Sequence, residues 1–201
     1  METSLNIWHT FVLIGAIQGF VLTAFLLFHK HGNRTANRLL AILIFSVSAD
    51  IFISFLYMSN YIDQLPHLIS VSEPLYTLFG PLLYLYTKLL TTPRFKFRAY
   101  HLLFFLPSIL EAILWMPFYL QPAKLKLHDY RQLGSDAQML LEYWFVWSLE
   151  LMYNIIFVFL AAIMLKKHAY IIKRIFSDIS RISFKWLRNL IFATLFFCFA
   201  R

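Results

Sequence analysis

Charge is what this sequence has least of. Only 14% of its 201 residues are Asp, Glu, Lys or Arg, and 60% are hydrophobic. Water-soluble proteins carry roughly a quarter charged residues and about half apolar ones. A sphere of this size cannot hide so much apolar surface, so an ordinary globular domain is excluded and much of the surface is expected to face lipid. Cysteine is nearly absent as well: the single Cys198 permits no internal disulfide and leaves the redox compartment unspecified. Glycine is scarce, at five residues, and no glycine-rich phosphate loop is present. Neither G-x-S-x-G nor H-E-x-x-H occurs, so the chain is not expected to be an enzyme or to carry a cofactor.

What is abundant comes in blocks. Ile7–Phe28 contains no charge, and 39–57 contains only Asp50. The run 68–90 holds Glu73 and Lys88, 102–120 holds Glu111, and 141–165 holds Glu142 and Glu150. About 20 predominantly apolar residues cross a hydrocarbon core as a helix, and each of these five runs is long enough. Strands are excluded because the runs do not alternate every second residue. A sixth run, 187–200, reaches only about 21 Å against a core of about 30 Å; it is expected to be an incomplete span, with a re-entrant segment as the alternative. The first block is no signal peptide: Glu2 stands where cations belong, and the apolar stretch is too long.

The eighteen Lys and Arg residues give the orientation. Fourteen fall in the first, third and fifth connections, among them Arg34, Arg38, Lys88, Arg98, Lys166 and Lys167, and only Lys124, Lys126 and Arg131 fall in the second and fourth. The positive-inside rule then places the N-terminus outside and the basic connections in the cytoplasm. Trp8, Tyr57, Trp115 and Tyr119 near outer ends, with Tyr84, Tyr86 and Trp186 near inner ones, fit aromatic belts. A nucleic-acid role for the cations finds neither helix-turn-helix pattern nor zinc spacing. The expectation is one all-α polytopic transmembrane helix bundle over residues 1–201 in the inner (cytoplasmic) membrane. It has five complete spans, a truncated sixth, and a basic cytoplasmic loop at 166–189.

Carboxylates inside spans are expensive, which makes them candidates for function. Asp50 and Glu111 lie near mid-helix, with Glu73 and Glu150 nearer the outside. Three of them share a face with polar or amphipathic neighbours at helical spacing: Ser46, Ser54 and Tyr57 with Asp50, Ser108 and Trp115 with Glu111, and Tyr143, Trp147 and Asn154 with Glu150. Converging stripes of this kind would make a crevice open to the outside, suited to a small ligand that is cationic or rich in hydrogen-bond donors. The plainer alternative is that each carboxyl is bonded to a neighbouring helix and serves packing alone. Gly15 and Gly19 form G-x-x-x-G, which allows close approach of another helix, within the chain or in a homodimer. Gly80-Pro81 predicts a kink, with a hinge as one use for it. His29 and His31 lack carboxylate partners and read as solvated interfacial residues, so no metal site is expected.

Several segments, taken in order, carry a resemblance: GAIQGFVLTAFLLF (15–28), NRTANRLLAILIF (33–45), LFGPLLYLYTKLL with TPRF (78–95), HLLFFLPSIL (101–110) and FSDISRISFKWLRNLI (176–191). The chain resembles the membrane-embedded N-terminal half of bacterial AraC-type transcription regulators. In that family a bundle of about seven helices precedes a cytoplasmic helix-turn-helix domain. The resemblance implies a sensor and anchor whose partners are the lipid bilayer, an unidentified small ligand, and DNA only through a C-terminal domain missing from this chain. The residues alone leave a rival reading open, a small proton- or cation-coupled transporter or channel component.

Overall fold

Asn6 opens the first helix. Its Oδ1 accepts the Ile7 N–H at 2.6 Å while His9 Nδ1 accepts the Asn6 N–H at 3.2 Å, satisfying amides that a helix start leaves unpaired. Helix α1 then runs through Ile7–Phe28. The computed structural model describes residues 6–29, 33–92, 95, 97–133, 137–175 and 184–200. Asn33 caps α2 (Arg34–Met58), its side chain accepting the Thr35 and Ala36 N–H groups. Two 3-10 turns, Tyr61–Asp63 and Pro66–Leu68, lead into α3 (Glu73–Tyr76) and α4 (Phe79–Thr91). A 3-10 stretch, Ala99–Phe105, runs into α5 (Leu106–Leu114), followed by α6 (Met116–Tyr119), α7 (Ala123–Leu133), α8 (Ala137–Ile175) and α9 (Lys185–Ala200). No strand occurs among the described residues; the chain is all-α.

Among the described residues three helices are long and apolar enough to cross a membrane: α1, α2 and, within α8, Leu140–Ile172. The bent pair Pro66–Tyr76 and Phe79–Thr91 makes a fourth if it counts as one span. Five continuous spans are not found among the described residues. The run 102–120, expected as a single helix, is in pieces. Pro107 and Pro117 each sit at the start of a helix, α5 and α6, where a missing N–H and a fixed φ are tolerated, and each forces the helix before it to end. The apolar helix left, Ala99–Leu114, is shorter than the ~20 residues of a straight crossing. The basic loop expected at 166–189 is also largely helix: α8 continues to Ile175 and α9 begins at Lys185. Lys166 and Lys167 are good helix formers with no breaker near them; hydropathy marks where the apolar run ends, not where the helix does.

Helix α4 is the centre of the bundle. It packs against α2 on one side and α8 on another, with α9 alongside. Phe79, Leu82, Leu83 and Leu85 are buried to within 2% exposure, and the Tyr76 hydroxyl donates to the Cys198 carbonyl at 3.1 Å. Helix α1 lies along α2, with Phe20 against Phe45 and Phe52. Of the expected G-x-x-x-G pair only Gly19 faces α2: a Cβ there would sit 1.9 Å from Ser48 Oγ, whereas one on Gly15 would meet nothing within 4 Å. The close-approach stripe is Ala16, Gly19 and Thr23 instead, at spacings that keep one face.

The outward faces are apolar. Only 11% of the most apolar window of α1 is buried, and Phe28, Leu114 and Phe196 are 74–81% exposed. Soluble monomers rarely leave such continuous apolar surface bare. Three helices of spanning length with these faces mark a membrane-associated chain.

Candidate functional site

The site begins with a missing N–H. Pro81 cannot bond the carbonyl four residues earlier, that of Thr77, and its ring crowds that turn. The chain accordingly bends by 43° between the segment ending at Tyr76 and the helix starting at Phe79. The break therefore lies a turn before Gly80-Pro81, where the sequence suggested the kink, because a proline disturbs the turn on its N-terminal side. Backbone groups freed inside an apolar bundle need new partners. Asn154 of α8, fully buried, bonds two other backbone groups at the bend. Its Oδ1 accepts the Gly80 N–H at 2.7 Å and its Nδ2 donates to the Tyr76 carbonyl at 3.1 Å. Glycine is required at position 80 for this approach: a Cβ would lie 2.8 Å from the Asn154 carbonyl oxygen and 2.9 Å from its Cα.

The same break gathers the carboxylates. Ser108 Oγ donates to the Pro74 carbonyl, tying α5 to α3, and Thr77 Oγ1 donates to Glu111 Oε2 at 2.5 Å. Glu150 stands one turn from Asn154 on α8, and Glu73 is the first residue of α3. Glu73, Glu111 and Glu150 each place a carboxylate oxygen within 4.8 Å of the other two. Two full negative charges at that distance repel by about 3 kcal/mol at an effective dielectric near 20. That repulsion favours protons or a cation among the three. A cavity of about 550 Å³ opens beside the three, walled by Trp115, Phe118, Tyr143, Val146 and Trp147, with Gln121 and Glu142 also on its lining.

Carboxylates beside aromatic faces make a site for positive charge. The acids neutralise it, and indole and phenol rings attract it over their faces. For a metal ion the three carboxylates offer one oxygen each, the hard donors that calcium and magnesium take, but fewer than the six or more such ions need. The cavity's size and apolar walls suit an organic cation better, since pockets of roughly 300–1,000 Å³ take small molecules.

A cap formed by α7 adjoins the cavity. Lys126 of α7 is 1% exposed; its Nζ lies 3.3 Å from His67 Nδ1 and 5.7 Å from the centre of the Phe118 ring. Arg131 pairs with Asp63 at 3.0 Å, and Tyr130 lies tilted against Tyr57 with centroids 5.3 Å apart. Burial pushes the Tyr130 phenol above its ordinary range, and the neighbouring Asp63 adds to this. The Tyr57 hydroxyl accepts the Ser70 N–H, and the Tyr119 hydroxyl donates to the Ser70 carbonyl.

Of the candidate ligand residues, Glu73, Glu111, Glu150 and Trp147 line one cavity, and Asn154 lies beneath it holding the broken helix. Asp50 is 2% exposed on α2 and is not part of the lining. Thr77 and Lys126 were not anticipated. Threonine in a helix ordinarily bonds its own backbone, so nothing in the sequence marks Thr77 as a carboxylate donor. Lys126 reads as a loop cation until its burial is seen. No family model, curated protein or solved structure matches the chain.

Proposed function

We propose that this chain is the membrane-embedded sensor and anchor domain of a membrane-bound AraC-type transcription regulator, with a small organic cation as the signal taken up by the acidic cavity. It lies in the inner membrane with its N-terminus outside. Its five crossings are α1, α2, the bent α3–α4 pair, the broken run 102–120 that carries α5 and α6, and α8, with α9 an incomplete sixth. The distribution of Lys and Arg supports this orientation, and the resemblance supplies the helix-turn-helix output. The carrying observation is the meeting of Glu73, Glu111 and Glu150 at the helix break, beside an aromatic wall. Ligand charge drawn between α3, α5 and α8 favours one packing of the break, and α8 conveys the change towards its basic end. A ligand shifts such an equilibrium only by its difference in affinity for the two packings.

The test uses purified chain in detergent with choline and ethylammonium as probes, followed by tryptophan fluorescence and thermal stability. Wild type should respond saturably and Glu111→Gln/Glu150→Gln should not. Indifference of the wild type to both probes contradicts the cation reading. A transporter is the second reading, favoured by the same break: discontinuous helices with carboxylates at their ends are a recurrent ion site. Uptake of a responding probe into proteoliposomes above empty vesicles would favour it over the sensor.

A further inference from the structure

A second, smaller cavity lies at the opposite end of the α1–α2 hairpin from the α7 cap. It is an open cleft of about 200 Å³, lined by Leu26, Leu27, Phe28 and His29 from the end of α1 and by Asn37 and the exposed Arg34 and Arg38 from the start of α2. At about 30 Å³ per water molecule it has room for several waters, hence for a phosphate group with part of its ester. Arg34 and Arg38 are four residues apart, so they project from one helix face. Neither guanidinium has a hydrogen bond or ion pair with another described residue.

Without an anion this arrangement is unfavourable by a few tenths of a kcal/mol, since both arginines are exposed. Like charges four residues apart on a helix repel. The first turn of α2 contains no acidic residue, so the arginines also stand against the positive end of a 25-residue helix. Both features reverse sign once an anion is present: the helix end and two guanidinium forks then attract it together. The apolar wall distinguishes what carries that anion. Leu26, Leu27 and Phe28 give a free phosphate nothing, but they suit the glycerol and first methylenes of a lipid.

We infer that this cavity is a binding site for one anionic phospholipid, its headgroup phosphate held between Arg34 and Arg38 and its glycerol end against Leu26–Phe28. The inference rests on the chain crossing a membrane, and is independent of what the acidic cavity binds. The site ties the α1–α2 corner to the leaflet that is richer in anionic lipid.

The full chain is reconstituted in nanodiscs of equal parts phosphatidylglycerol and phosphatidylcholine, released into neutral detergent, and the retained lipids are counted by native mass spectrometry. Wild type retains one phosphatidylglycerol. Arg34→Gln/Arg38→Gln loses about tenfold or more of that retention, while Lys166→Gln/Lys167→Gln, which removes the same charge elsewhere, keeps it. Arg38→Lys preserves charge and fold but not the planar fork, and shows reduced retention. Equal losses in the two double variants, or no loss in the arginine variants, overturn the site. Displacement of the lipid by millimolar inorganic phosphate assigns the cavity to the free anion and overturns the lipid reading. Loss of probe binding at the acidic cavity with lipid retention intact would count against the sensor reading alone.

Discussion

Asn154 reaches across from α8 to accept the Gly80 N–H at 2.7 Å, and with the same amide it donates to the Tyr76 carbonyl at 3.1 Å. One side chain thus bonds two backbone groups that flank the break of the bent segment. Asn154→Leu leaves these two groups unpaired in an apolar interior. The expected loss is about 1–2 kcal/mol, the upper range for interhelical hydrogen bonds in membrane proteins. Reversible unfolding in mixed micelles measures it, and an unchanged midpoint contradicts the bridging role.

Glycine substitutions separate contact from coincidence. Gly80→Ala drives a methyl into the backbone of Asn154 and the Cβ of Phe157, so α4 and α8 must separate, at about 1–3 kcal/mol. Gly19→Ala meets Ser48 and should also destabilise. Gly15→Ala meets nothing and should be neutral or slightly stabilising, since alanine favours helix over glycine by up to about 1 kcal/mol. The same unfolding assay ranks the three; a large loss at Gly15 would point to a helix packed there from a second copy.

Much of this was legible in the residues, and the limits have a physical cause. Glu73, Glu111 and Glu150 stand out because a charge in an apolar run has to be explained by something. Helical spacing placed Trp147 and Asn154 on the Glu150 face. Spacing gives a residue's depth and face along its own helix but not which neighbouring helix that face meets. Asp50 therefore looked equivalent to the other three and lies outside the cavity, and Gly15 looked equivalent to Gly19. Pro81 announced a break but not its position, which falls a turn earlier, at the carbonyl the proline leaves without a donor. The run 102–120 has the composition of one span, but Pro107 and Pro117 restart helices inside it.

Thr77 positions Glu111 through their hydrogen bond. Thr77→Val keeps the shape and removes the donor, so the carboxylate loses its fixed orientation. Affinity for a responding ammonium probe should fall several-fold, corresponding to about 1 kcal/mol, with little change in unfolding midpoint. Fluorescence titration checks this; equal affinity would show that Glu111 needs no such support.

The α7 cap is expected to depend on Lys126 more than on its surface ion pair. Arg131→Ala removes an exposed pair with Asp63, worth at most about 1 kcal/mol. Lys126→Ala removes a buried side chain that touches both His67 and Phe118. Limited proteolysis between α6 and α8 should be faster in the second variant and unchanged in the first. The reverse order would make the ion pair the true fastening.

The claim beneath all of these is a chain threaded through a bilayer with its acidic cavity on the outer side. Cysteine labelling of intact cells with a membrane-impermeant maleimide tests it most directly, in a Cys198→Ala background, since Cys198 is the only native thiol. Gln64→Cys and Lys124→Cys should label from outside. Arg34→Cys and Lys167→Cys should label only after permeabilisation. The opposite pattern contradicts the orientation, and labelling of all four alike in soluble extract, with no detergent present, contradicts the membrane itself.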